Sequence, residues 1–144
     1  MRLRSRDFED GGNIPPEFTC DGEDVSPRLS WEDVPEKTRS FALSVTDPDA
    51  PRGEFIHWLV YDIPSDLRNI DRGGLPEGAK QVENDFMKKD YGGPCPPSGT
   101  HRYFFTLYAL DTEHLENVNR YNFFDQVKAH TISEAKLMGL YRRR

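Results

Sequence analysis

The sequence predicts a mainly β protein of α+β class, a single domain over residues 1–144 with one or two peripheral helices. Three stretches lead to this prediction. Residues 40–46 and 101–110 alternate between two faces with the period of an extended chain, and residues 55–63 form a nearly continuous apolar run. Runs of this length, rich in aromatic and β-branched residues and bounded by Gly or Pro, are typical of buried strands.

The first third of the chain predicts loops followed by a strand. Residues 11–35 are rich in Gly, Pro, Asp and Ser, so we expect irregular loops with short extended pieces, in which Trp31 anchors the core. Residues 40–46 form the first clear strand, with its alternate apolar side chains on one face. This strand is expected to end near Asp47, because Pro48 cannot donate a backbone hydrogen bond to a neighbouring strand.

The middle of the chain predicts one buried strand and a long loop. Residues 55–63 are expected to be buried on both faces of the sheet. His57 should share a face with three apolar neighbours, Phe55, Leu59 and Tyr61. Residues 64–100 show no sustained periodicity and predict a long loop, with a short strand at residues 80–82.

The last third predicts a central strand, a helix and a closing strand. Residues 101–110 carry bulky side chains on both faces, with His101 and Tyr103 on the same one. Residues 122–130 predict a short helix that begins with an Asn in the N-cap position. Residues 135–141 alternate again and predict a strand that closes the sheet.

Composition limits the function classes. A chain of 144 residues with 12% aromatic residues can bury a core and is not disordered. The formal net charge of −6 and the lack of a basic stripe argue against nucleic-acid binding, and the basic residues 142–144 are expected to form a loose, solvated end. We expect no transmembrane segment, because no apolar run reaches about 18 residues. The N-terminus lacks an apolar signal core, so the expected location is the cytoplasm.

The two cysteines, Cys20 and Cys95, are expected to be reduced in a cytoplasmic protein. No CxxC pair is present, which excludes a zinc ribbon or a thioredoxin-type site. Both residues lie in turn-rich segments, so a disulfide between them stays an open alternative. The sequence also leaves open whether a proline in these turns follows a cis bond.

A few polar residues cluster around the predicted strand ends. Asp47 and Asp49 follow the first strand, His57 lies near the start of the second, and His101 and Tyr103 open the third. Each has an ordinary structural explanation, as a turn former or as a hydrogen-bonded core residue. If the strands are neighbours, however, the side chains converge, and a carboxylate would then hold an imidazole beside phenol and amide donors. Such a donor set favours a small anion such as phosphate.

Three motifs of the chain resemble those of one family. They are Asp-Pro-Asp-Ala-Pro at residues 47–51, Gly-Pro-Cys-Pro-Pro at residues 93–97 and His-Arg-Tyr at residues 101–103. With them, the chain resembles the phosphatidylethanolamine-binding protein (PEBP) family, and more narrowly its prokaryotic, Raf kinase inhibitor-like branch. The resemblance implies a central antiparallel Greek-key sheet packed on a smaller sheet, and prokaryotic relatives suggest a homodimer.

The resemblance also implies an anion site near the surface. Its ligand-binding residues would be Asp47, Asp49, His57, Gly93, Pro94, Cys95, Pro96, His101 and Tyr103. Arg102 should face away from the site and pair with an acid that steadies the loops. Cys95 stands where animal members have a glycine, and the C-terminal helix that those members use near the pocket has no evident match, so kinase inhibition is not transferred.

The expected function is therefore non-catalytic binding of a small anion, whether phosphate, a phosphorylated headgroup or a carboxylate, without a cofactor and with a regulatory protein partner left open. The alternative is an inhibitor of a kinase or protease that acts through surface loops. A hydrolase that uses the nearby Ser98 lacks a GxSxG motif and a Ser–His–Asp order. A metal site built from the two histidines and one Asp has no support from spacing.

Overall fold

A computed structural model describes residues 1–143 and shows two antiparallel β-sheets packed face to face, with a single α-helix in that range on the outer side of the larger sheet. The strands are β1 (Arg2–Arg4), β2 (Leu29–Glu32), β3 (Ser40–Asp47), β4 (Phe55–Pro64), β5 (Asn69–Ile70), β6 (Lys80–Val82), β7 (Thr100–Leu110) and β8 (Thr131–Arg142). The helix, α1, spans Phe123–His130, and a short 3-10 turn spans Pro16–Phe18. No helix among these residues is long and apolar enough to cross a membrane.

The larger sheet contains a Greek key. Its strand order is β6-β4-β3-β7-β8, and the smaller sheet has the order β1-β2-β5. Strands β3, β4 and β6 follow one another across the sheet, and β7 then returns to lie beside β3, which is the Greek-key order. The predicted fold class is confirmed.

Both faces of the larger sheet are buried. One face packs on the smaller sheet, where the rings of Trp31 and Phe41 meet edge to face with centroids 5.4 Å apart. The other face is covered by α1 through Phe123 and Val127. This arrangement explains the apolar runs of β4 and β7, and it confirms Trp31 as a core anchor. The strand β1 was missed, because three residues with one apolar side chain carry no usable pattern.

A β-bulge corrects the predicted orientation of His57. Val45 pairs with Trp58 and Thr46 pairs with Ile56, so His57 is the extra residue between them. A bulge of this kind resets the alternation of side chains along a strand. His57 consequently packs against Tyr103, whereas Leu59 and Tyr61, its expected neighbours, lie on the opposite face beneath α1.

The end of the chain is more ordered than expected. The closing strand predicted at residues 135–141 is confirmed and extends over Thr131–Arg142. Arg143 lies with its Nε atom 3.3 Å from Asp21 Oδ1. Arg142 and Arg143 are exposed as expected, but Arg142 belongs to β8, so the prediction of a loose end is wrong for that residue. Arg144 lies outside the described residues.

The expectation of reduced cysteines is also wrong, because Cys20 and Cys95 form a disulfide with their Cα atoms 5.4 Å apart. The expected compartment is a weak guide to the oxidation state of two cysteines when hydrogen bonds already hold their loops together. Here the Cys20 amide donates to the Pro94 carbonyl at 3.1 Å, and the Tyr91 hydroxyl donates to the Phe18 carbonyl at 2.7 Å. All peptide bonds among the described residues, including those that precede prolines, are trans.

Candidate functional site

The predicted site residues meet at one end of the larger sheet. Because β3 runs antiparallel to both β4 and β7, the end of β3 lies beside the starts of its two neighbours. The ring centroids of His57 and His101 lie 5.2 and 6.4 Å, respectively, from that of Tyr103. The predicted convergence of the two imidazoles and the phenol is confirmed.

These side chains form the polar part of a cavity of about 230 Å³. The polar lining consists of Asp47, His57, His101 and Tyr103, and the remaining lining is made by Ala50, Pro51, Phe55, Phe86, Cys95, Pro96 and Pro97. Polar groups thus converge within a mostly apolar wall, which is the usual construction of a binding site for a small molecule.

Asp47 and His101 form a buried pair at the end of β3. His101 Nδ1 lies 2.6 Å from Asp47 Oδ2, and the other carboxylate oxygen accepts a hydrogen bond from the Asp49 amide at 2.7 Å. The carboxylate therefore holds the imidazole with a proton on Nδ1 and leaves Nε2 free for a ligand. If this histidine is protonated, Nε2 becomes a donor whose charge is balanced by Asp47.

His57 is held by the loop that precedes the third motif. Its Nδ1 atom donates to the Gly92 carbonyl at 2.7 Å, and its own carbonyl accepts from Asn84 Nδ2 at 2.9 Å. The ring is also packed against Phe55 and Phe86. Burial in this aromatic surrounding lowers the pKa of His57, so its neutral form is favoured. Since Nδ1 carries the proton, Nε2 is an acceptor.

Tyr103 carries an unsatisfied hydroxyl. The side chain is fully buried, and Oη has no hydrogen-bond partner among the described residues. Burial, and then the negative charges of Asp47 and Asp49, raise the pKa of Tyr103, which keeps it a neutral phenol. Asp47 is near enough to contribute to this shift, but neither of its oxygens meets the distance and angle of a hydrogen bond from the Tyr103 hydroxyl.

Asp49 supports the site from outside, because it does not line the cavity. It accepts two hydrogen bonds from the Arg102 guanidinium, at 2.9 Å from Nε and 2.8 Å from Nη2, and a third from the Arg102 amide at 2.9 Å. These bonds lower the pKa of Asp49 to about 2. The expectation that Arg102 pairs with a loop acid is confirmed.

Gly93 and Pro94 likewise hold the loop in place and do not line the cavity. The Gly93 amide donates to Asp24 Oδ1 at 2.8 Å, and a Cβ at this position would approach the Phe18 carbonyl oxygen to 2.2 Å. A glycine is therefore needed because two backbones approach closely. Cys95 and Pro96, by contrast, do reach the cavity.

Sequence reasoning missed Phe86, which supplies a cavity wall from the long loop. Its position is fixed by Asn84, a fully buried side chain whose oxygen accepts from the Phe86 and Lys88 amides and whose nitrogen donates to the Asp90 carbonyl. A single aromatic residue within a polar stretch was the signal that could have indicated it. Within residues 1–143, no three His, Cys, Asp or Glu side chains are grouped so as to hold a metal ion.

The fold is a two-sheet antiparallel β protein with a small cavity at one end of its larger sheet. Comparisons with known proteins identify the family. A family model described as phosphatidylethanolamine-binding protein matches residues 4–142. A UPF0098 protein of Methanothermobacter thermautotrophicus is 47% identical over 150 residues, which cover 99% of each chain. The UPF0098 protein YbhB of Escherichia coli is 41% identical over 129 residues, 81% of this chain and 82% of its own.

Solved structures with a similar fold support the same family. Escherichia coli YbcL, described as a new member of the mammalian PEBP family, has a TM-score of 0.93 and 33% identity, with 99% of this chain and 98% of its own covered. A PEBP homologue from Chlamydia trachomatis, CT736, has a TM-score of 0.92 and 36% identity, with 99% and 97% covered. The chain belongs to the phosphatidylethanolamine-binding protein family.

Proposed function

We propose that the cavity binds a small anion, either inorganic phosphate, a phosphorylated headgroup or a carboxylate, and that the protein acts by binding rather than by catalysis. The observation that carries this proposal is the Tyr103 hydroxyl, which is buried in the cavity lining without a partner. An unsatisfied buried polar group costs about 1–3 kcal/mol, so a ligand oxygen that accepts this hydrogen bond recovers that free energy on binding.

The surrounding groups support an anion of limited size. A protonated His101 offers Nε2–H beside the Tyr103 hydroxyl, and its pairing with Asp47 holds the ring in place. A ligand cavity commonly measures about 300–1,000 Å³. The value of about 230 Å³ found here suits a single phosphate or carboxylate group with a short substituent.

The lining also favours binding over hydrolysis. Ser98, the nucleophile considered for a hydrolase, does not line the cavity. Cys95 does, but its sulfur is in the disulfide, and the raised pKa keeps the Tyr103 phenol neutral. A covalent mechanism requires a nucleophile that a neighbouring base activates, and none of Ser98, Cys95 and Tyr103 meets this requirement here.

Isothermal titration calorimetry with inorganic phosphate, and separately with acetate, tests the proposal. We expect saturable binding of at least one of the two anions at pH 6. His101→Gln should weaken binding at pH 6, whereas His130→Gln should not, because His130 contacts Asp111 and does not line the cavity. Absence of saturable heat for both anions, at concentrations up to tens of millimolar, would refute the proposal.

A further inference from the structure

The hydrogen-bond direction at His57 is fixed by the protein. A backbone carbonyl can only accept, so the 2.7 Å contact with Gly92 places the ring proton on Nδ1. The second nitrogen, Nε2, is then a lone-pair acceptor on a side chain that is 3% exposed and lines the cavity. A fully ionised oxyanion has only lone pairs and cannot satisfy this atom.

The charged groups around His57 do not reverse this direction. Asp47 on β3 faces it but is bonded to His101 on β7, and Asp24 is bonded to the Gly93 amide. Asp85 in the adjoining loop is paired with Arg120. The remaining neighbour, Tyr103, is a neutral donor. Desolvation also lowers the pKa of His57, which agrees with a neutral ring.

We propose that the site selects a monoanionic phosphate group that still carries one hydroxyl, with that hydroxyl donating to His57 Nε2 while the ionised oxygens accept from Tyr103 and His101. This inference rests on the proposed function and makes it more specific. The ligand class is a phosphomonoester or free phosphate in its singly charged form. A phosphodiester has the same charge but no hydroxyl, so it leaves Nε2 unpaired.

A ligand that leaves a buried polar group of the protein unpaired binds much more weakly than one that pairs it. Sites built to pair a hydroxyl discriminate against analogues that lack it by large factors. The second pKa of a phosphomonoester is about 6, so the singly charged form is abundant at mildly acidic pH and scarce above pH 7. A carboxylate is fully ionised over the same range and gains nothing from His57.

Methyl phosphate and dimethyl phosphate, measured by calorimetry at pH 5.5 and pH 7.5 on the full chain, test the inference. At pH 5.5 we expect methyl phosphate to bind at least about tenfold more tightly than dimethyl phosphate. The ratio of the two affinities should fall by about 20-fold at pH 7.5, because the singly charged monoester is depleted there. Protonation of His101 affects both ligands alike and therefore cancels in the ratio.

The variant His57→Phe keeps an aromatic ring and removes the acceptor. We expect it to reduce the ratio at pH 5.5 to about twofold or less, whereas the control His130→Phe keeps the wild-type ratio. Each ratio is measured within one protein, so a loss of stability in the variant does not affect it. A thermal melt confirms that the variant is folded under the titration conditions.

The outcomes separate the two proposals. If both esters bind within twofold of each other, the inference about His57 is overturned and anion binding stands. An unchanged ratio in His57→Phe also overturns it, because the discrimination then arises elsewhere. If neither ester nor inorganic phosphate binds, the inference is overturned, and if acetate also fails to bind, the proposed function itself fails.

Discussion

The substitution Tyr103→Phe should stabilise the free protein and weaken anion binding at the same time. It removes only the hydroxyl, which has no partner among the described residues and lies in the cavity lining. A substitution that deletes a buried, unsatisfied group recovers part of its desolvation cost, which is about 1–3 kcal/mol. We expect a gain near the lower end of that range, because phenylalanine keeps the packing of the ring.

The magnitude can be converted into a melting temperature. The entropy of unfolding is about 2.1 cal/mol/K per residue, or about 0.3 kcal/mol/K for a chain of 144 residues. A gain of about 1 kcal/mol therefore raises the melting temperature by about 3 °C in buffer without anions. Loss of one hydrogen bond to a charged ligand should weaken phosphate binding by about 10- to 100-fold, since such bonds are worth about 1.5–3 kcal/mol.

Differential scanning calorimetry in a buffer free of phosphate and carboxylate measures the first effect, and phosphate titration measures the second. Tyr108→Phe is the matched control, because the Tyr108 hydroxyl lies 3.1 Å from Ser44 Oγ and does not line the cavity. The control should be destabilised by about 1 kcal/mol and should bind phosphate normally. A Tyr103→Phe protein less stable than the wild type would show that the hydroxyl is already satisfied in the free protein. Unchanged phosphate affinity would show that it is not a ligand donor.

Three further perturbations test the support around the cavity. Replacing both Cys20 and Cys95 by Ser removes a cross-link between residues that lie 75 positions apart in sequence. Urea denaturation should show that the free energy of unfolding falls by about 2–4 kcal/mol. An unchanged free energy of unfolding would mean that the disulfide does not stabilise the fold. Gly93→Ala places a Cβ against backbone and should cost about 1–3 kcal/mol in the same assay; unchanged stability would show that the two backbones can move apart. Asp49→Asn removes a partly exposed ion pair and should cost at most about 1 kcal/mol at pH 7. The folded-state pKa of Asp49 is lowered to about 2, so this contribution is present above the ordinary pKa near 4 and is lost as pH falls through about 2. A difference from wild type that does not shrink between these two pH values would exclude the ion pair as its cause.

The sequence predicted the fold wherever one strand carried a clear pattern of its own. Strands β3, β4 and β7 have alternating or continuous apolar side chains over seven or more residues, so their burial could be read directly. Strands β1 and β5 have three and two residues, and they exist only because β2 offers them a partner. The stability of such a short strand depends on its partner strand, which lies far along the chain. A pattern read from a few consecutive residues therefore cannot predict it.

The site was predicted as a set of residues but not as a set of roles. The family resemblance placed Asp49 and Gly93 with the ligand, whereas the structure bonds them to Arg102 and Asp24, respectively. A residue that holds a loop in position and one that touches a ligand are equally close to the site in sequence. Only the direction of the Asp49 side chain and of the Gly93 amide assigns these two residues to the loop support.

The bulge at His57 shows why the sequence did not predict the direction of this side chain. Alternation along β4 placed His57 with Leu59, but the register shift opposite Val45 turns it towards Tyr103. A bulge is decided by the pairing of two strands, and its single extra residue leaves no compositional mark. His57 Nδ1 donates to the Gly92 carbonyl, which leaves Nε2 of the neutral ring as an acceptor. Strand register therefore sets the hydrogen-bonding character of this cavity, since the extra residue of the bulge places His57 in the cavity lining.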